Sequence, residues 1–369
     1  MIKITVNSSR TYNVIMEHGA LAAAGEYIRE ALDGDTSGDT SGGRKICIIT
    51  DAVVDRLYGR PEHRLWRSLE KAGFSVYKHV FAGGEEHKNM GTVTDILEYL
   101  ADSGFTRSDV LLALGGGITG DVAGFAAASF LRGVEFIQVP TSLLAIVDSS
   151  VGGKTGVNLS AGKNLAGAFH QPGLVLFDPD VLATLSDELK SDGIAEAIKA
   201  GFIADADILS LIEECTSPDD EDFLTKLAAL AVEVKRRIVE NDEKENNIRQ
   251  LLNLGHTAAH AIEKCSGYAI SHGHAVAMGM AIMSSASKSL GLCDESCHST
   301  MMNTLKKFSF PLDCPYSAGE LAGAALHDKK RRGESITLAI PEAVGKCALK
   351  PVSVDMIEDF FRRGLDGLK

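Results

Sequence analysis

Short runs of β-branched and other apolar residues alternate with stretches of helical spacing through the first half of the chain. Residues 44–50, 74–81, 110–114 and 134–139 predict strands buried on both faces, while 89–102 and 122–131 carry the apolar period of helices. Strands that alternate with helices predict a parallel sheet covered on both sides. From about residue 180 the strand pattern thins, and residues 187–203, 222–240, 247–264 and 275–291 predict long amphipathic helices. The expected architecture is an α/β domain over residues 1–178 followed by a mostly α-helical domain over 179–369, with the boundary at the change of pattern near 172–180. Residues 33–43 repeat Gly-Asp-Thr-Ser, have nothing to bury, and predict a mobile surface loop.

Composition narrows the class. The chain has 369 residues, 45% apolar and 24% charged, which fits a soluble globular protein with a sizeable core. Its best apolar run, residues 122–131, is too short for a membrane helix and ends at Arg132. The opening Met-Ile-Lys-Ile-Thr-Val lacks the order of a signal peptide, so a cytoplasmic address is expected. A formal net charge of −13 argues against a nucleic-acid or anionic-lipid partner, because such binding needs clustered cations. Any anionic ligand must be held by local charge. Seven scattered cysteines are expected as reduced thiols. Cys293, Cys297 and His298 lack the further partner that a closed zinc site requires.

Candidate chemistry begins at Gly115-Gly-Gly-Ile-Thr-Gly-Asp121, which follows a predicted strand and opens a helix. A glycine turn at a helix N-terminus lets phosphate approach unpaired N–H groups, although tight turns also use glycine for steric reasons alone. Asp51, at the end of another predicted strand, can serve as the ribose acid. Gly83-Gly-Glu-Glu-His-Lys88 follows a further strand and places Glu85 and Lys88 on the same ligand edge, or forms a solvated turn.

Lys154, Lys163 and Asn164 lie among glycines and hydroxyls in residues 141–167, where cations suit a carboxylate or phosphate ligand. Gly152-Gly-Lys-Thr155 fails as a nucleoside-triphosphate loop, since the required first glycine falls on Asp148. His256 and His260 stand one helical turn apart, but Thr257 occupies the position where a zinc protease needs glutamate. With His272 and Glu196 they make up a candidate two-histidine, one-carboxylate metal site, ringed by Lys199, Lys235 and Arg249. Arg236 and Arg237 are expected as surface cations.

These motifs, in this order, resemble the 3-dehydroquinate synthase family nearly end to end. The resemblance is carried by Gly84-Glu85 with Lys88; Gly115 to Asp121; Leu131-Arg-Gly133; Pro140-Thr-Ser-Leu-Leu-Ala with Asp148 and Lys154; Gly162-Lys-Asn164; Ala195-Glu-Ala-Ile-Lys199; Leu252-Asn-Leu-Gly-His-Thr257 with His260; His272-Gly273; and Asp328-Lys-Lys330. It implies a Rossmann-like NAD-binding domain, a helical metal-binding domain and a homodimer.

By this resemblance Glu196, His256 and His272 hold zinc or cobalt. NAD contacts Asp51, Gly84, Glu85 and Lys88; the turn Gly116, Gly117, Ile118, Thr119, Gly120 and Asp121; Thr141, Ser142, Lys154 and Lys163; and Val181, Leu182, Ala183 and Thr184. The substrate, 3-deoxy-D-arabino-heptulosonate 7-phosphate, is gripped by Asp148, Lys154, Asn164, Lys199, Lys235, Arg249, Asn253, His260 and Lys330, with Lys329 as the alternative to Lys330. Arg132 reaches across from the partner subunit. Two departures stand out: Val53 replaces a common Asn, and His274 replaces the usual Glu, where it would tune the metal or add a fourth donor.

The implied activity is a redox-neutral cyclisation of the shikimate pathway, in which NAD is reduced and reoxidised within one turnover. Other sugar-phosphate cyclases, making inosose, valiolone or aminodehydroquinate, share this machinery. A metal-dependent polyol dehydrogenase needs no lysine cluster for phosphate. A non-catalytic NAD sensor needs no such set of reactive side chains.

Overall fold

A computed structural model describes residues 1–33, 43–329 and 334–369. The predicted loop falls chiefly on 34–42, and Lys330 and the side chain of Lys329 likewise lie outside the described residues. The chain divides into two compact units, Met1–Leu185 and Ser186–Lys369.

The first unit opens with β1 (Ile2–Asn7), β2 (Thr11–Met16) and α1 (Ala20–Asp33). It continues through β3 (Lys45–Asp51), the short α2 (Ala52–Val54), α3 (Arg64–Lys71), β4 (Ser75–Phe81), α4 (Met90–Asp102), β5 (Val110–Gly115) and α5 (Gly117–Ser129). After β6 (Glu135–Pro140), a hairpin of β7 (Lys154–Leu159) and β8 (Gly162–Phe169) precedes β9 (Leu174–Phe177). Seven strands form one sheet in the order β1-β2-β9-β6-β5-β3-β4, parallel except for the β1–β2 pair. All six residues of β5 are buried, as a strand covered on both faces requires. On one face Cys47, Ile49, Leu111 and Phe136 pack against Val93 and Ile96 of α4 and Val122 and Ala126 of α5.

The order in which strands are added to this sheet reverses between β3 and β5, parallel neighbours with Thr50 opposite Leu114: β4 lies outside β3, while β6 and β9 extend from β5 the other way. Ligands of open α/β sheets collect at the carboxyl ends of strands at such a point. There β3 ends on Asp51 and β5 on the glycine turn.

Helix α5 departs from expectation, starting at Gly117 inside the turn instead of at Val122. Its glycines are tolerated because neighbours press close: a Cβ on Gly120 would lie 2.7 Å from Gln138 Oε1, and one on Gly124 2.3 Å from Thr155 Cγ2. It stops before Leu131 and Arg132, which take φ of 50° and 70°. The β7–β8 hairpin was not foreseen, because its lysines, glycines and hydroxyls carry no clean alternation.

The second unit contains α6 (Asp187–Ala204), α7 (Ala206–Glu214), α8 (Glu221–Asn241), α9 (His256–Cys265), α10 (His272–Ser289), α11 (Glu295–Lys307) and α12 (Ala318–Lys329), then the hairpin β10 (Ser335–Ala343) and β11 (Lys346–Ser353), and α13 (Ile357–Asp366). The helix expected over 247–264 is broken: a 3-10 turn at Ile248–Asn253 gives way to α9 through Gly255, whose φ of 78° suits glycine. Helices α6 and α10 are buried on nearly every side through Gly193–Ile203 and Ala275–Ser287, which marks them as the core of this unit. No helix among the described residues is long and apolar enough to cross a membrane. All seven cysteines are thiols, and His298 Nδ1 turns to Ser284 Oγ at 3.1 Å.

Candidate functional site

The two buried helices of the second unit each deliver one ligand-type side chain: Glu196 from the middle of α6, and His272 as the first residue of α10. His256 opens α9. Its place is fixed by the crossing of α9 over α10, where a Cβ on Gly279 would lie 2.2 Å from the carbonyl oxygen of Gly255. Main chain therefore meets main chain beside the histidines.

Glu196 Oε1 lies 3.4 Å from His256 Nε2 and 3.1 Å from His272 Nε2. The three side chains form a group whose ligand atoms all fall within 4.8 Å of one another. His256 Nδ1 faces the carbonyl oxygen of Leu254 at 3.2 Å, and His272 Nδ1 faces the Glu263 carboxylate at 3.4 Å. Both partners only accept, so each Nδ1 carries hydrogen and each neutral ring turns an Nε2 lone pair toward the same carboxylate oxygen. Such convergence repels itself unless a cation or a proton sits within it. The donor set fits a divalent ion of the zinc or cobalt type with positions left for substrate oxygens.

Protons and a neighbouring cation do that work when metal is absent. Burial opposes ionisation of Glu196, but the Lys199 ammonium one turn along α6, then His256 and His272, outweigh it and hold the carboxyl well below its usual range. Burial likewise works against the His272 cation, yet hydrogen bonds to Glu196 and Glu263 raise its pKa to about 10. Below that pH an entering metal must displace a proton from a ring faced by Glu196, Glu263, His256 and His260. Metal affinity should therefore fall about tenfold for each pH unit lowered between pH 8 and 6, with proton uptake or release followed in a chelator-competition titration. A pH-independent affinity would contradict this.

His260 stays at the edge. Its ring lies 5.5 Å from that of His256 and 6.4 Å from that of His272, and it is exposed and outside the ligand group. His274 does not add a fourth donor; its ring turns to Asp192.

Among the described residues of this unit three cations are almost fully buried: Lys199 at 2%, Lys235 at 7% and Arg249 at 1% exposure. Charges this deeply buried are held by local partners, as Lys199 is by the Glu196 carboxylate. Arg249 donates to the carbonyl oxygen of Glu243, and Asp242 accepts its backbone N–H at 3.0 Å. Asn253 is exposed and donates to Glu245 Oε1 at 3.2 Å. Arg236 pairs with Glu233 and Glu240, and Arg237 with Asp205, as surface cations do.

The first unit gathers a separate polar set. The buried Lys88 places Nζ 2.6 Å from Asp121 Oδ2 and 2.6 Å from Asn164 Oδ1. Lys163 lies 3.7 Å from Glu85 Oε1, which also accepts from Asn158 Nδ2 at 2.7 Å. Gly84 takes φ 105°, a conformation open to glycine. No side chain caps the N-terminus of α5, so Gly117, Ile118 and Thr119 present it bare, beside Gly116 and Ser142. Asp51 Oδ1 accepts from the backbone of Val53 at 2.8 Å and Val54 at 3.1 Å, contacts that need no asparagine side chain at residue 53.

Other predicted positions are placed individually. Thr141 and Thr119 are buried, while Asp148 lies in the turn Ala145–Ser149 and the exposed Lys154 opens β7. Val181 and Leu182 send their side chains into the core, leaving Ala183 and Thr184 to solvent. Arg132 is exposed. Sequence reasoning missed Glu263, Glu245 and Asn158. Glu263 was readable in principle, since it follows His256 by two turns of one helix face; the other two depend on loop and hairpin conformations that no period announces.

Comparisons with known proteins bear on both units. Residues 78–191 match the family model for the 3-dehydroquinate synthase N-terminal domain, and residues 193–331 that for the C-terminal domain. The chain is 40% identical to 3-dehydroquinate synthase of Streptococcus pneumoniae over 353 residues, 95% of this chain and 96% of that one. It is 38% identical to the Streptococcus suis enzyme of the same name, covering 98% and 100%. Among solved structures, 2-deoxy-scyllo-inosose synthase complexed with carbaglucose-6-phosphate, NAD+ and Co2+ superposes with a TM-score of 0.86 at 26% identity, covering 98% and 99%. The 2-epi-5-epi-valiolone synthase of Streptomyces hygroscopicus with NAD+ and Zn2+ shares the fold at a TM-score of 0.82 and 24% identity, covering 97% of each chain.

Proposed function

This chain belongs to the 3-dehydroquinate synthase family, and from that membership we propose how its residues divide the work. The reaction takes 3-deoxy-D-arabino-heptulosonate 7-phosphate to 3-dehydroquinate and phosphate. It passes through oxidation at C5, phosphate elimination, reduction and an internal aldol closure. Bound NAD supplies the hydride exchange, and a bound zinc or cobalt ion supplies Lewis acidity to the substrate oxygens.

Glu196, His256 and His272 are the residues that would hold the ion, with Glu263 fixing the tautomer of His272. The observation that carries this assignment is the aim of both Nε2 atoms at one buried carboxylate oxygen while both Nδ1 atoms are engaged elsewhere. Lys199, Lys235 and Arg249 grip substrate phosphate and carboxylate, and their burial keeps water from weakening that grip. Lys330 adds a further clamp. Asn253 and His260 orient protons near the C5 hydroxyl and the phosphate, which itself accepts the proton lost in elimination.

In the first unit the bare N-terminus of α5 receives the pyrophosphate of NAD, Asp51 its ribose, and Glu85, Lys88, Asp121 and Lys163 complete the cofactor contacts. The exposed Ala183 and Thr184 and the main chain of Val181 and Leu182 border the same cofactor. Asp148, Lys154 and Asn164 contact substrate. The proposal extends to a cytoplasmic homodimer in which Arg132 enters the partner's site, supported by the exposure of Leu131 and Arg132.

The test is phosphate release. With NAD and zinc or cobalt, the heptulosonate phosphate should release one phosphate per carbocycle formed, with no net NADH and little turnover of sedoheptulose 7-phosphate. Preference for sedoheptulose 7-phosphate would make this a different cyclase; steady NADH accumulation would make it a dehydrogenase.

A further inference from the structure

Asp192 precedes Glu196 by one turn on α6, so the two carboxylates leave the helix from the same face. Both reach the start of α10. Glu196 meets His272, while the buried Asp192 meets the residues on either side of it. Asp192 Oδ1 accepts the Ser271 hydroxyl at 2.6 Å, the His274 backbone N–H at 3.3 Å and the His274 Nδ1–H at 3.3 Å. The same Nδ1–H lies 2.7 Å from Ser271 Oγ. Between these contacts the backbones touch: a Cβ on Gly273 would fall 2.2 Å from Asp192 Cα. The far side of the His274 ring packs edge-on against Phe310, with centroids 5.5 Å apart.

We propose that Asp192, Ser271 and His274 form a clamp that fixes the first turn of α10 against α6, and so sets the spacing of Glu196 and His272 and the affinity of the metal site. They are positioning residues, acting through the ligands without touching the ion. Three hydrogen bonds converge on one carboxylate oxygen, and each donor lies within two residues of His272. A carboxylate at position 274 would face Asp192 with like charge and no hydrogen to offer, whereas an asparagine amide can donate where Nδ1–H does now.

This inference rests on the metal assignment above, and the experiment separates the two. Co2+ is titrated into the full-length metal-free protein, with affinity read by chelator competition, ligand geometry by the visible d–d absorption, and folding by Tm. His274→Glu should weaken Co2+ binding by about tenfold to a hundredfold and alter the absorption band. His274→Asn should stay near wild type, and adding Asp192→Ser to His274→Glu should restore most of the affinity by removing the opposed charge. Wild-type affinity and spectrum in His274→Glu, or no recovery in the double variant, would overturn the clamp. Should His274→Glu fail to fold, Ser271→Ala carries the test: a loss of about threefold or more supports the clamp and wild-type binding overturns it. His256→Ala is the control. Co2+ binding unchanged in that variant would defeat the ligand assignment itself, whereas its loss there beside intact binding in the clamp variants would defeat the clamp alone.

Discussion

His256→Ala should purify as a folded protein holding essentially no zinc or cobalt after dialysis, with phosphate release lowered on the order of a thousandfold or more. Alanine suits the first turn of α9, and Glu196 keeps Lys199 and His272 as charge partners, so the loss should fall on the metal and not on the fold. Metal content by elemental analysis and Tm of the metal-free protein distinguish the two. Full zinc occupancy would remove His256 from the ligand set.

Lys199→Met should act in the opposite order, on stability first. The ammonium is 2% exposed and paired with a carboxylate that is itself buried, so its removal leaves that anion in the core of the second unit with only the His256 and His272 rings against it. Breaking such a pair costs roughly 3–5 kcal/mol. At about 2–4 °C per kcal/mol for a chain of this size, the metal-free variant should melt on the order of 6–20 °C lower. Added zinc should recover part of that shift, because a divalent ion at Glu196 supplies the missing positive charge. Phosphate release should stay low even then, as the proposed grip of Lys199 on substrate requires. An unchanged Tm in the metal-free variant would show that Lys199 does not compensate Glu196.

Regular repetition made the sheet legible. Strands β3, β5 and β6 are dense apolar runs between turn residues, and their order with α4 and α5 dictates a parallel arrangement before any coordinates are seen; β4, which carries Lys78 and His79, is a half-buried edge strand and not the strand buried on both faces that residues 74–81 predict. The hairpins β7–β8 and β10–β11 escaped because the first is built of small and charged residues and the second sits in a helical context. The break at Gly255 escaped for a related reason: an apolar period continues across it, and the need for a left-handed residue comes from α10 passing behind, which no local pattern records. At the candidate metal site, residue types were readable, but three histidines competed for two places. The family resemblance named His256 and His272, and in the structure it is their Nε2 atoms, and not the His260 ring, that face Glu196. The Asp192 contacts were illegible altogether, since they join residues about eighty positions apart.

The contact of Gly255 with Gly279 has a bearing on how this protein can change. Where two backbones abut with no side chain between them, neither random drift nor directed evolution has a small step available: the next larger residue already collides. The exposed Lys154, Asn164, Asn253 and His260 carry no such restriction. Laboratory selection for altered sugar-phosphate preference should therefore collect its substitutions in that outer polar set, leaving the imidazole-bearing crossing as an inherited block whose geometry passes unchanged from one specificity to the next.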